Sequence, residues 1–228
     1  MFVHVPSRHK PSVAWATPVL VLASMAAFVW LASLPGLERG QLLVRWGTVP
    51  ETLFSPAEDW LERIADGRLL TLVTALFMHA DWLHLLGNML FLVIFGVPAE
   101  RALAPWRFLL LFLGGGALAN VAAAWSIDHA ASIIVGASGA VSAIIGAYLA
   151  LFPRARLGLV LPLGLFLEFV RTPASLLIGI WAGLQLLFTF VGPAFGPVAW
   201  WAHVTGFLVG VLFGLLSRPA IARRLRQR

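Results

Sequence analysis

Four polar side chains stand where polar side chains are costly. Ser138 lies in Gly136-Ala137-Ser138-Gly139-Ala140, near the start of an apolar run from Ile133 to Phe152. His203 lies in a second run, Val198 to Leu216, and His84 and Asn88 in a third, Leu83 to Val97. Polar and ionisable groups inside membrane-type segments carry an insertion penalty and mark sites or interhelical bonds. A hydroxyl, an imidazole and two hydrogen-bond donors are also the parts of a serine hydrolase: a nucleophile, a base for its proton, and donors for an oxyanion. Each part has a plainer reading. A serine lets helices pack closely and can bond back to the preceding turn, and His84 with Asn88 could make a structural interhelical bond. Chemistry requires that the elements bring all four to one place.

Composition says what those elements are. The chain has 228 residues, 60 % of them hydrophobic and 11 % charged. Soluble domains carry about a quarter charged residues, so this is a membrane protein. At roughly 20 residues per span the length admits five to seven helices and no separate soluble domain. There is no cysteine, which excludes disulfides, thiol catalysis and thiolate metal sites. The net charge of +6 follows from the crowding of Lys and Arg on one side of a membrane, so no nucleic-acid partner is expected, and the surrounding partner is the lipid bilayer.

The expected order is a basic tail (1–16), a six-span helical domain (17–217) with a long outer loop (35–82), and a second basic tail (218–228). Thr17 to Leu34 is the first span; its apolar run is longer than a signal core and no small-x-small cleavage site follows. Trp46, Trp60 and Trp82 are scattered in the outer loop, as aromatics are at interfaces. Leu69 to Met78 is too short to span and is expected to lie in or dip into the interface. Leu83–Val97, Trp106–Trp125 and Ile133–Phe152 are the next spans, with Asp128-His129 as an outer turn. Leu157–Val170, with Pro162 and Glu168, is expected to be interfacial or re-entrant. Ala174–Val191 and Val198–Leu216 complete the six, separated by Gly192–Pro197.

Orientation follows from the cations. Twelve of the sixteen Lys and Arg fall in the termini and two inner loops; Arg39, Arg45, Arg63 and Arg68 fall in outer segments. Both termini are therefore expected on the cytoplasmic side. The fourth and sixth spans then both start outside. Ser138 is five residues past Ile133 and His203 five past Val198, so each is expected roughly 7 Å below its helix's outer end. His84 and Asn88 occupy the first turns of the second span, at similar depth, and share one helix face at i and i+4. Gly139 and Gly146 on the fourth span, and Gly206, Gly210 and Gly214 on the sixth, allow the close backbone approach that a Ser–His hydrogen bond needs. His79 falls off the His84 face, where a structural role is expected. A metal site of His79, His84 and His203 is not expected, because the spacing is not His-Glu-x-x-His and no carboxylate sits beside these histidines within a span. The hydrolase elbow Gly-x-Ser-x-Gly is not matched, since position 140 is Ala.

Together these residues resemble a rhomboid intramembrane serine protease of bacterial type. The likeness is carried by Gly136-Ala137-Ser138-Gly139, by Ala202-His203 with Gly206 and Gly210, and by His79, His84 and Asn88. Glu100-Arg101, Trp46-Gly47 and Val49-Pro50 add to it. The resemblance implies an all-α six-helix bundle in a bacterial plasma membrane and a Ser–His dyad without a third acidic residue. Ser138 would be the nucleophile and His203 the general base and later acid. The Ser138 backbone N–H, His84 and Asn88 would hold the oxyanion. It implies no cofactor or metal, and a substrate that is another membrane protein cut in or near its transmembrane segment. A catalytically silent relative that binds membrane clients, or a small transporter, are the alternatives. The first would lack the dyad, and the second would place its polar groups near the bilayer midplane.

Overall fold

The computed structural model describes residues 13–54, 60–127, 132–163, 166–192 and 198–226. Arg8, Lys10, the Asp128-His129 turn, most of the Gly192–Pro197 loop and Arg228 lie outside the described residues. The chain runs through α1 (Ala16–Ala32), three short helices α2 (Gly36–Trp46), α3 (Pro50–Phe54) and α4 (Trp60–Ala65), and α5 (Thr71–Thr74). Then come α6 (Trp82–Leu103), α7 (Pro105–Ser126), α8 (Ser138–Leu151), a hairpin of β1 (Arg156–Leu163) and β2 (Phe166–Pro173), α9 (Ala174–Val191) and α10 (Trp200–Arg226).

Among the described residues four helices, α6, α7, α9 and α10, are long and apolar enough to cross a membrane, while α1, α8 and the segment around α5 are shorter apolar helices. The fourteen residues of α8 reach only about 21 Å, against a hydrocarbon core of about 30 Å. The helix can be short because it is enclosed: its residues are buried from Gly139 through Tyr148.

Side-chain contacts give each helix a direction. On α6 and α8, the His84 ring lies against Gly136 just ahead of α8, and Phe95 meets Tyr148 at 5.1 Å. Both positions rise together, so the two helices are parallel. On α7 and α8, Gly116 meets Ala140 while Gly115 meets Ala143, so numbering falls on one as it rises on the other. On α9 and α10, Trp181 meets Phe207, Gln185 meets His203 and Phe188 meets Trp200, again antiparallel. The starts of α6, α8 and α10 therefore share one end of the bundle.

The closest packing is between α8 and α10. A Cβ on Gly206 would fall on the Gly139 carbonyl, one on Gly210 on the Ala143 carbonyl, and one on Gly214 would sit 3.1 Å from Ala147 Cα. Steps of four on α10 meet steps of four on α8, the geometry of a small-residue ridge. Gly146 answers from the other side, since a Cβ there would strike the Phe207 carbonyl. Leu85, Leu92 and Phe95 of α6, Phe108 and Phe112 of α7, and Ile144 and Tyr148 of α8 fill the core around this seam.

At the opposite end Glu100 closes the bundle. It is fully buried, and its carboxylate accepts from Ala16 N (2.7 Å), Thr17 N (2.8 Å) and Thr17 Oγ1 (2.7 Å). A buried carboxylate survives when several donors and a helix N-terminus face it. Glu100 thus ties the start of α1 to the end of α6, a job that the charge pattern alone did not suggest.

Four expectations need correction. The fold is not purely α-helical: Leu157–Val170, expected to be interfacial or re-entrant, forms most of a two-stranded antiparallel hairpin, paired from Arg156↔Pro173 to Leu163↔Phe166. Gly158 and Pro162 weaken a helix there, and a two-stranded sheet is all edge, so it tolerates the proline. The helix expected from Ile133 starts at Ser138 instead, because Ile134 is bridged to Thr48 (Thr48 N–Ile134 O 3.0 Å; Ile134 N–Thr48 O 2.9 Å). The second span continues beyond Val97 through Pro98 to Leu103. The sixth continues beyond Leu216 through Pro219, as one helix to Arg226.

Candidate active site

Ser138 is positioned by the bend that precedes it. Gly136 has φ +113°, a conformation open to glycine and strained for other residues. Its N–H donates to the Ala75 carbonyl at 2.9 Å. A Cβ at this position would lie 2.5 Å from His84 Cε1 and Nε2, so the glycine also admits the imidazole. Chain reversal at Gly136 makes Ser138 the first residue of α8. Its N–H belongs to the first turn, where no i−4 carbonyl is available, and it points out of the positive end of the helix.

His79 supports this bend. It is fully buried; Nδ1 donates to the Phe77 carbonyl at 3.2 Å and Nε2 accepts from Ala137 N at 3.5 Å. Burial, with the neighbouring His84 adding to it, pulls the His79 imidazole down to about 4. The neutral ring is the form that can accept from Ala137. The His84 ring stands edge-on to it, centroids 5.2 Å apart.

His203 enters from the first turn of α10. Its Nε2 meets Ser138 Oγ at 2.9 Å. Its Nδ1 meets Gln185 Oε1 at 2.7 Å. The Ser138 carbonyl accepts from Ser142 Oγ at 2.7 Å, and Trp200 stands edge-on to the imidazole at 5.9 Å. Gly206 makes the approach of α10 to α8 possible, and Gly139 the approach of α7. A Cβ on Gly139 would lie 2.6 Å from the Ala119 methyl, and Gly206 rests on the Gly139 carbonyl.

On α6, Asp81 caps the helix by accepting from His84 N at 2.8 Å. Asn88 is buried and donates from Nδ2 to the His84 carbonyl at 2.9 Å. The two residues expected to act side by side are thus joined in series, with Asn88 bracing the turn that carries His84. Of the residues singled out in the sequence, Ser138, His203, Gly136, His84 and His79 meet at one end of the bundle, and Gly139, Gly206 and Gly210 form the seam below them. Both ring nitrogens of His79 and of His203 are engaged by protein groups. Gln185 was missed. Its signal was present: it is the lone carboxamide in an apolar helix, where leucine would insert more cheaply.

The apolar helices define an integral membrane protein, and among them Ser138 and His203 share a hydrogen bond. A family profile described as a rhomboid domain matches residues 66–220, and the chain belongs to the rhomboid family. It is similar to RHOMBOID-like protein 6, mitochondrial, of Arabidopsis thaliana, 26 % identical over 234 residues, covering 90 % of this chain and 70 % of the relative. It is 27 % identical to Rhomboid-like protease 2 of Toxoplasma gondii over 207 residues, 90 % of this chain and 67 % of that one. It is also 35 % identical to Putative rhomboid protease YdcA of Bacillus subtilis over 86 residues, 38 % of this chain and 43 % of the relative.

Proposed function

We propose that this protein is an intramembrane serine endopeptidase that cleaves transmembrane segments of other membrane proteins near the outer face. The observation that carries the reading is the Ser138 Oγ–His203 Nε2 hydrogen bond of 2.9 Å, with family membership beside it. Ser138 is the nucleophile. His203 takes its proton as Oγ attacks the scissile carbonyl, then returns a proton to the leaving amine. In this reading the Ser138 N–H at the start of α8, the His84 ring and the Asn88 amide stabilise the oxyanion, and the hydrogen bond from Asn88 to the His84 carbonyl also braces the turn that carries His84.

Six spans, with both termini in the cytoplasm of a bacterial cell, are the topology that goes with this reading. The alternating directions of α1, α6, α7, α8, α9 and α10 and the excess of Lys and Arg at one end favour it. The Ser–His pair then lies close to the outer surface. A substrate helix that satisfies its own backbone shields its carbonyls, so the segment must unwind before attack. Unwinding is least costly where the substrate carries Gly, Ser or Pro near its outer end.

The test is labelling of the purified full-length protein by a fluorophosphonate, together with cleavage of a single-span substrate. The wild type is expected to label at Ser138. Ser138→Ala is expected to stay folded and to lose activity by about 10⁴-fold or more. His84→Ala and Asn88→Ala are expected to lower turnover by about 10²–10³-fold. Cleavage by Ser138→Ala at the wild-type rate would remove the serine mechanism.

A further inference from the structure

The His203 imidazole has two nitrogens, and the proposed chemistry uses only Nε2. Nδ1 faces Gln185 Oε1 at 2.7 Å. A carbonyl oxygen accepts and does not donate, so Nδ1 carries the proton. The lone pair then sits on Nε2, 2.9 Å from Ser138 Oγ. With the amide oxygen facing the ring, the other tautomer would set lone pair against lone pair at Gln185 and leave Nε2 unable to accept the serine proton.

We propose that Gln185 is a positioning residue for the reaction assigned above: by accepting the Nδ1–H of His203 it fixes the tautomer and ring angle in which Nε2 faces Ser138. The inference rests on that reading of Ser138 and His203 and adds a third residue, on a third helix. Gln185 occupies the place that a carboxylate takes in a Ser-His-Asp arrangement, but it is neutral. A carboxylate both orients the ring and stabilises the imidazolium; an amide only orients it. Among apolar helices a further charge would carry its own desolvation penalty, and an amide avoids that. The helix is docked for the task. About one turn either side of Gln185, Trp181 packs on Phe207 (6.0 Å) and Phe188 on Trp200 (4.8 Å). The three contacts form one antiparallel ladder between α9 and α10, with the amide at its centre.

The groups facing His203 are Ser138 from α8, Gln185 from α9, His84 from α6 and Trp200 from its own helix. The experiment leaves Ser138, His84 and Trp200 unchanged and varies position 185 in the full-length protein. It measures fluorophosphonate labelling, and kcat and KM on a single-span substrate, across pH. Gln185→Leu, which keeps the bulk and removes the acceptor, is expected to lower kcat about 10²-fold with little change in KM. Gln185→Glu is expected to restore most of kcat and to move the acidic limb of the pH profile upward by about one unit or more. A carboxylate beside the ring favours the imidazolium, which is not a base. Wild-type kcat in Gln185→Leu, or an unmoved pH profile in Gln185→Glu, overturns the role of Gln185 and leaves the dyad standing. Absence of labelling at Ser138 in the wild type overturns the dyad and this inference with it. If Gln185→Leu fails to fold, as judged by its thermal unfolding, the profile of Gln185→Glu against wild type decides.

Discussion

α8 and α9 are both apolar, and they are treated oppositely by the fold. In α8 nearly every residue is buried, from Gly139 to Tyr148 without a break. In α9 only Ala174, Ile178 and Thr189 are buried, while Leu176, Ile180, Leu184, Leu186, Leu187 and Phe190 are exposed. In water this would be paradoxical. In lipid it is not, because leucine gains little by leaving hydrocarbon for a protein interior. What brings membrane helices together is close packing and hydrogen bonding. α8 offers Gly139, Ala143, Gly146 and Ala147 to its neighbours. α9 offers bulky side chains to its surroundings and one amide to His203. Burial here follows side-chain size and polarity more than apolarity.

The sharpest way to break this contrast is to enlarge a seam residue. Gly210→Val places a side chain on the Ala143 backbone, which cannot withdraw. Loss of more than about 3 kcal/mol is expected, with loss of phosphonate labelling because α8 and α10 separate. Thermal unfolding in detergent measures it; a wild-type melting curve would show that the seam is not what holds the two helices.

A smaller effect is expected at His79, which braces the bend ahead of α8. Its folded pKa of about 4 lies below the ordinary 6.5. As pH falls below 6.5 the unfolded chain takes up a proton that the folded chain refuses, so stability falls, and the loss levels off near pH 4. The shift corresponds to roughly 3 kcal/mol. His79→Gln keeps an acceptor for Ala137 N and removes the titration. Its stability is therefore expected to fall less than that of wild type between pH 7 and pH 4. Parallel curves for the two proteins would mean that His79 does not titrate as its burial implies.

The smallest effect is expected on the far side of the comparison. Leu184→Ala and Leu187→Ala on α9 remove exposed side chains and are expected to change stability by no more than about 0.5 kcal/mol. A loss of about 2 kcal/mol or more at either site, measured by the same unfolding assay, would place that face of α9 against protein.

Much of the bundle was legible before any coordinates. Apolar runs marked the helices, and Ala174–Val191 agrees to the residue with α9. Ser138, His203 and His84 stood out because polar groups are costly in such runs. The glycines at positions 206, 210 and 214 announced a close contact. Helix ends were less legible. The pattern continued through Ile133–Ala137 because those residues are as apolar as the helix that follows, yet the Ile134 backbone pairs with Thr48 and the Gly136 N–H donates to Ala75, both far away in sequence. Hydrophobicity reports where side chains are comfortable; it does not report which carbonyl a backbone N–H will find.

The sequence by itself determined that this is a membrane protein, which helices it builds and which side chains could do chemistry, because bilayer energetics act on each residue locally. Only the tertiary structure decided three further things. It showed that Glu100 caps α1, that His79 accepts from the chain just before the serine, and that Gln185 accepts from His203. Each of these is a hydrogen bond between distant segments, set by angles and by distances of a few ångströms. No periodicity in the chain encodes such a bond; it exists only once the helices have packed at their particular directions and depths.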